Sequence, residues 1–273
     1  MPKRKNIIAS LLIGLAKIIW YLLKGIYEAF NFIFHGIASL FSKARQISKE
    51  KKLENQAHQD RKQISGKEFD EIESKQGAID DFNHTLYEKK STIGLILGAR
   101  GTGKSALGLR ILENVAARTS KKAYAMGFKS LPSWISMVSR LEDVSPDSFL
   151  IIDESGITFS SRNFMKELNK FLSNLLLVSR HKDLSVLFIT QNSSNIEINI
   201  IRQIDYLLLK PSSLLQNEFE RKKISNIYKE NAEDFSKYKN VKGLTYVYSA
   251  SYAGFISNGL PSFWTENISK SFR

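Results

Sequence analysis

The sequence predicts an α/β protein: a mostly parallel sheet with helices on both faces, preceded by a long apolar and amphipathic N-terminal helix. Three observations carry this. Strand-like and helix-like stretches alternate from residue 82 onward, the octet GARGTGKS stands between an apolar run and a helical pattern, and residues 6–41 form one extended apolar segment. Alternation of that kind implies parallel strands with ligands at their carboxyl ends. The 273 residues allow one ordinary domain and something extra.

The extra part comes first. Residues 6–41 run too long for a secretory leader and lack a small-residue cleavage site after the first apolar core, despite the leading Lys3, Arg4 and Lys5. Lys17, Lys24, Glu28 and His35 are spaced so that, at helical periodicity, they fall on one narrow stripe. Such a helix either lies in the head-group plane with the stripe facing water, or spans the bilayer with the stripe turned to a partner. The charge-free run that opens it, residues 6–16, is shorter than the roughly 20 residues a span needs, which favours the interfacial form. Burial against a protein partner is the remaining alternative.

Residues 42–81 are polar and dense in Lys, Glu, Gln and Asp, and read as a solvated helix or tether. Charge follows the same division. Residues 1–66 hold 12 Lys/Arg against 4 Asp/Glu, a net of +8, while residues 67–273 hold 28 against 23, a net of +5. Basic residues beside an apolar segment are explained as well by anionic lipid as by nucleic acid. The chain has no cysteine, which excludes disulfides, thiol catalysis and cysteine metal sites and fits a cytosolic face. His58 and His84 are isolated and belong to no metal-ligand cluster.

In the remainder, strands are expected at 93–97, 122–126, 149–152, 186–190 and 206–209, helices near 103–118, 131–141, 163–179 and 214–230, and a hairpin at 243–256. The octet fits the phosphate-loop (P-loop) pattern G-x-x-x-x-G-K-[ST], and the strand before it and the helix after it are the context that pattern requires. Gly98, Ala99, Arg100, Gly101, Thr102, Gly103, Lys104, Ser105 and Ala106 are therefore the expected nucleotide-binding residues. Glycines let successive N–H groups point inward beneath a helix N-terminus, making an anion nest. Lys104 is the point charge for β- and γ-phosphates, and the Ser105 hydroxyl a ligand for Mg2+.

The stretch SFLIIDES, residues 148–155, ends an apolar strand in two acids. Behind a P-loop these are expected to act as Asp153, holding Mg2+ through water, and Glu154, orienting and deprotonating the attacking water. Gln191 closes a later strand, where a carboxamide can report loss of the γ-phosphate; a plain strand-end glutamine fits equally. Arg180 and Arg202 are the two candidates for an arginine finger reaching a neighbouring subunit's nucleotide, and both also fit as surface charges. The tail, with Trp264 near Lys270 and Arg273, fits packing on the sheet better than stacking on nucleic acid.

The P-loop, the strand ending in Asp153 and Glu154, the run SRHKDLS ahead of an apolar strand ending in Thr190 and Gln191, and the following IRQID together resemble the zonular occludens toxin-like group of ATPases. That group is close to the FtsK/HerA pumping ATPases, which include viral genome-packaging motors, and the resemblance covers about residues 90–210. It implies ATP and Mg2+ as cofactors, a homo-oligomeric ring, membrane lipid, and double-stranded DNA or phage assembly proteins as partners. In filamentous-phage relatives the ATPase domain usually precedes the membrane segment. Here the apolar helix comes first, an order more like membrane-anchored DNA pumps. The expected organisation is thus a membrane-associated helix at 1–41, a charged linker at 42–81 and a P-loop ATPase domain at 82–273, the last on the cytoplasmic side. The expected activity is ATP hydrolysis coupled to DNA translocation, packaging or virus-particle assembly. The competing class is a non-enzymatic membrane-bound scaffold with a nucleotide-dependent switch, and the intact set of Lys104, Ser105, Asp153 and Glu154 favours the enzyme.

Overall fold

The computed structural model describes residues 60–61, 64–156, 164–265 and 268, together with residues 20, 22, 24–25, 43, 45 and 51–52. The chain divides into two units, Met1–Asn55 and Gln56–Arg273. In the first, the described residues are helical, and the Lys24 ammonium lies 5.6 Å from the Trp20 ring centroid. The rest of the helix expected over 6–41 lies outside the described residues. Among the described residues, no helix is long and apolar enough to cross a membrane.

The second unit contains, in chain order, β1 (Asp70–Gln76), α1 (Ile79–Tyr87), β2 (Ile93–Leu97), α2 (Lys104–Arg118), β3 (Lys122–Met126), β4 (Ile135–Met137) and β5 (Ser148–Asp153). There follow α3 (Phe164–His181), β6 (Leu184–Ile189), α4 (Ile198–Ile201), β7 (Tyr206–Leu209), α5 (Leu214–Phe219), α6 (Lys222–Glu230), α7 (Ala232–Lys237), β8 (Thr245–Ser249) and β9 (Ala253–Ser257). The strands form one sheet in the order β1-β9-β8-β7-β2-β6-β5-β3-β4. From β7 to β4 all neighbours are parallel, while β8, β9 and β1 add an antiparallel wing.

Near-continuous apolar runs are what parallel strands covered on both faces require. Each run divides by alternation. Leu95, Leu97, Leu150, Ile152, Val186 and Phe188 face one core with Leu172, Leu175 and Leu176 of α3 and Ile224 and Ile227 of α6. Ile96, Phe149, Ile151, Leu187 and Ile189 face the other, with Leu107, Leu109, Ile111 and Val115 of α2. Helices therefore cover both faces. Each fully buried Leu, Ile or Phe contributes about 1.5–3 kcal/mol of transfer free energy. Close packing also explains Gly108 in the middle of α2, since a Cβ there would lie 2.5 Å from Ile151 Cδ1 and 2.9 Å from Ile189 Cδ1.

The structure corrects three expectations. Residues 131–141 are not a helix: Pro132 interrupts the pattern, and Ile135–Met137 pairs as β4 on the edge of β3. The helix expected over 214–230 is two. It breaks at Glu220 and Arg221 because the Glu220 carboxylate accepts from Ser193 N at 3.1 Å and from the Ser193 hydroxyl, while the Arg221 guanidinium donates to the Ser193 carbonyl at 3.0 Å and to that of Ile196. Third, the sheet begins inside the segment expected as a charged linker. Asp70–Gln76 pairs antiparallel with β9 as an edge strand. An edge strand tolerates acidic and basic side chains because one side of it meets water, so its composition imitates a tether. The hairpin expected near 243–256 is β8 and β9. The start of the tail packs: Phe263 meets Trp134 edge-on at 5.5 Å, and the backbone N–H of Ser262 donates to buried Glu113, while Lys270 and Arg273 lie outside the described residues.

Candidate nucleotide site at the carboxyl ends of the parallel strands

The loop from Gly98 to Gly103 leaves the carboxyl end of β2 and opens α2. Gly98, Gly101 and Gly103 have φ of 150°, 80° and 84°, values that side chains resist and glycine accepts. At Gly98 space adds a second reason, because a Cβ would lie 2.5 Å from Lys210 Cβ. Gly103 caps α2 with no side-chain bond, and the first turn carries no acid. The helix N-terminus therefore keeps its N–H donors and positive dipole end for an anion. Thr102 braces the loop through its hydroxyl, which donates to Ala99 O at 2.7 Å, and Ala99 N donates to Pro211 O at 3.1 Å. Arg100 is exposed and Ala106 is buried.

Lys104 is 8% exposed and donates from Nζ to the carbonyls of Gly98 and Ala99, each at 2.9 Å. Burial lowers its pKa, and the nearby carboxylates of Asp153 and Glu154 act in the opposite direction. The Ser105 hydroxyl donates to Asp153 Oδ2 at 2.5 Å. The other oxygen of Asp153 accepts from Ser155 N at 3.1 Å and from the Ser155 hydroxyl at 2.6 Å, which fixes the rotamer of this buried carboxylate. Register explains the meeting: α2 packs on β5, and β6 lies between β2 and β5. A hydroxyl and a carboxylate oxygen side by side are hard ligands suited to Mg2+. Among the described residues, no group of three His, Cys, Asp or Glu could hold a metal by itself.

Glu154 begins the short 3-10 turn after β5, and the hydroxyl of Thr190 donates to its Oε2. Gln191 follows Thr190; its side chain is exposed and its carbonyl accepts from Gln216 Nε2 at 2.7 Å. One edge of the sheet thus carries Gly98 to Ser105, Asp153, Glu154, Thr190 and Gln191.

The two arginines are elsewhere. Arg202 is exposed and caps α4 just before β7, at the amino end of the strands, where neighbouring Asp205 accepts from Ile93 N at 2.7 Å. Arg180 lies one residue before the end of α3, also on the amino side, where Asp147 N donates to Lys182 O at 2.9 Å; its side chain is outside the described residues. Within one chain, Arg202 stands at the opposite edge of the sheet from the P-loop.

Sequence reasoning missed Thr190 and Lys210. Thr190 follows β6 beside the glutamine, and the pair was visible as a polar end to an apolar run. Lys210 follows β7 and is 1% exposed; its backbone N–H donates to Leu97 O at 2.8 Å. Its ammonium donates to Gly243 O at 2.8 Å and Asn258 Oδ1 at 3.1 Å, and burial pushes its pKa down to about 7. A lysine after an apolar strand reads as solvated, so nothing local marks it as buried.

No curated protein sequence matches the chain. Among solved structures, the genome packaging NTPase B204 from Sulfolobus turreted icosahedral virus 2, in complex with AMPPCP, is similar at 16% identity, covering 63% of this chain and 99% of that one, with a TM-score of 0.42. EssC (ATPases 2 and 3) from Geobacillus thermodenitrificans is similar at 12% identity, covering 67% of this chain and 43% of that one, TM-score 0.37. The cytoplasmic domain of the Thermomonospora curvata Type VII secretion ATPase EccC is similar at 13% identity, covering 64% and 24%, TM-score 0.40. Residues 107–208, from the P-loop helix through β7, match the family model of the zonular occludens toxin (Zot), and over that span the chain is Zot-like.

Proposed function

We propose that this chain is a membrane-associated P-loop ATPase that couples ATP hydrolysis to DNA translocation and packaging or to virus-particle assembly. The observation that carries the hydrolytic part is the juxtaposition of Ser105 and Asp153, 2.5 Å apart beneath the uncapped N-terminus of α2, with a second acid one residue on. In this reading the loop N–H groups and Lys104 hold the β- and γ-phosphates, with phosphate oxygens replacing the carbonyls of Gly98 and Ala99 as acceptors for Nζ. Bound Mg2+, held by Ser105 and by Asp153, supplies charge neutralisation on the phosphates. Glu154 orients water and takes its proton, and Thr190 sets the position of that carboxylate. Gln191, at the next position, senses the γ-phosphate.

Kinship supports the coupling. The Zot match and the name of the viral packaging NTPase support a role in packaging or assembly, and the apolar segment at 6–41 supports a membrane location on the cytoplasmic side. Assembly into a homo-oligomeric ring would let Arg180 or Arg202 reach a neighbour's nucleotide. Adding Lys104→Ala chains to an arginine variant should then restore part of its turnover.

The deciding experiment is ATP turnover of the full chain with lipid, with and without double-stranded DNA. Stimulation by DNA is expected. Turnover indifferent to DNA would instead favour assembly work, and absent turnover with intact nucleotide binding would favour a scaffold with a nucleotide switch.

A further inference from the structure

A second concave site lies away from the P-loop, at the amino end of β7. A groove of about 810 Å³ runs between α4 with the chain after it and the start of α6, over β7 and the end of β8. Its floor is aliphatic, with Ile201, Ile204, Ile224 and Ile227. Its rim is cationic: Arg202 on one side, Arg221, Lys222 and Lys223 on the other. Asp205 is the one acidic residue in the lining, and its carboxylate is engaged by Ile93 N at 2.7 Å. The ion pairs among the described residues include none of Arg202, Lys222 or Lys223. Arg221 is held in place by the Ser193 and Ile196 carbonyls. The wall is open along its length, since Ile198 is 44% and Tyr248 37% exposed.

We propose that this groove is a docking site for an acidic amphipathic segment of a partner protein, an apolar stripe seated on the isoleucines and flanked by Asp or Glu that meet the cations of both rims. Chemistry selects this occupant. Nucleic acid would match the cations and leave the apolar floor unused, because phosphates gain nothing from isoleucine. An acyl chain needs an enclosed cavity, and this one is open to water at Ile198 and Tyr248. An amphipathic segment uses both features, in the helix-in-groove mode. Charges on opposite rims also fix the register of such a segment and speed its encounter. Arg202 thereby acquires a role that does not require reaching a nucleotide.

The test uses the full chain and two labelled peptides about four turns long, each with leucine at helical spacing, one with glutamate and the other with lysine at the remaining positions. Fluorescence anisotropy should show the glutamate peptide binding and the lysine peptide failing to bind. The combined change R202E, K222E and K223E should weaken binding by about tenfold or more. All three side chains are exposed, so the variant should fold, and I204W, which fills the floor, gives an independent loss without altering charge. Lys104→Ala should bind peptide as the parent does, so that failure of the ATPase reading and failure of the groove give different results. Equal binding of both peptides, or no loss in the charge-reversed chain, would overturn the proposal. Direct binding of phosphatidylglycerol vesicles or of double-stranded DNA that displaces the peptide from the parent chain and is itself lost in the charge-reversed chain would also overturn it and reassign the rim to lipid or to nucleic acid.

Discussion

The sheet has two halves that solve different problems. In the parallel half, β7 to β4, every strand ends on the same edge, and that edge collects the site residues: Gly98, Asp153, Thr190 and Lys210 each follow or end an apolar strand there. The antiparallel wing of β8, β9 and β1 cannot do this, because successive strand ends alternate between edges. It instead supplies burial and cross-links. Phe255 sits in a cluster with Phe235 at 5.1 Å and Tyr246 at 4.8 Å, and Tyr252 donates to Glu71 at 3.0 Å. The difference teaches that the nucleotide chemistry in this chain depends on strand direction, whereas the wing supplies stability and meets the nucleotide site at one contact. That contact is Lys210, on the last parallel strand, whose ammonium is held by Gly243 and Asn258 flanking the hairpin.

The comparison breaks first at Glu154. Glu154→Gln should retain nucleotide binding and lower turnover by about 10²–10⁴-fold, since it keeps shape and removes the base; unchanged turnover in a phosphate-release assay would remove Glu154 from the mechanism. Next in size is Phe255→Ala in the wing. Loss of a fully buried aromatic should cost about 3–5 kcal/mol in denaturant unfolding, while nucleotide affinity of the folded fraction stays at the parent value. A parallel fall in affinity would show that the halves are not separable.

Lys210 sharpens the boundary between them. Its pKa is about 7 folded against an ordinary 10.5. Between those values the unfolded chain binds a proton that the folded chain does not, so stability rises with pH. This contribution is fully present above the unfolded value and is lost as pH falls through about 7. Lys210→Met should therefore flatten the rise in melting temperature across that window, an effect of order a few kcal/mol. A slope identical to the parent's would mean that the ammonium stays charged in the fold. The smallest effect belongs to Tyr252→Phe, which removes the bond to Glu71 and should cost about 1 kcal/mol with no change in turnover.

Legibility followed the range of the interaction. The P-loop was readable because its requirements are local: glycines where φ is positive, a lysine and a hydroxyl at the opening of a helix, a strand immediately before. The acid pair was readable because an apolar run followed by two carboxylates marks a strand end. Residues 131–141 misled because a short edge strand has too few positions for its period to show, and β1 misled because an edge strand carries the charges of a tether.

Composition and spacing by themselves determined the apolar segment at 6–41, the five central strands with the P-loop helix and the helix before β6, and the residue types that hold phosphate. Only the tertiary structure decided that Ser105 meets Asp153, that Thr190 holds Glu154, that Lys210 is buried behind Gly98, and that Arg202 lines a groove at the opposite edge. The physical reason is that these meetings depend on which strands become neighbours and in what register. That choice is made by burying two opposite faces of the sheet at once, a condition on the whole chain that no short stretch contains.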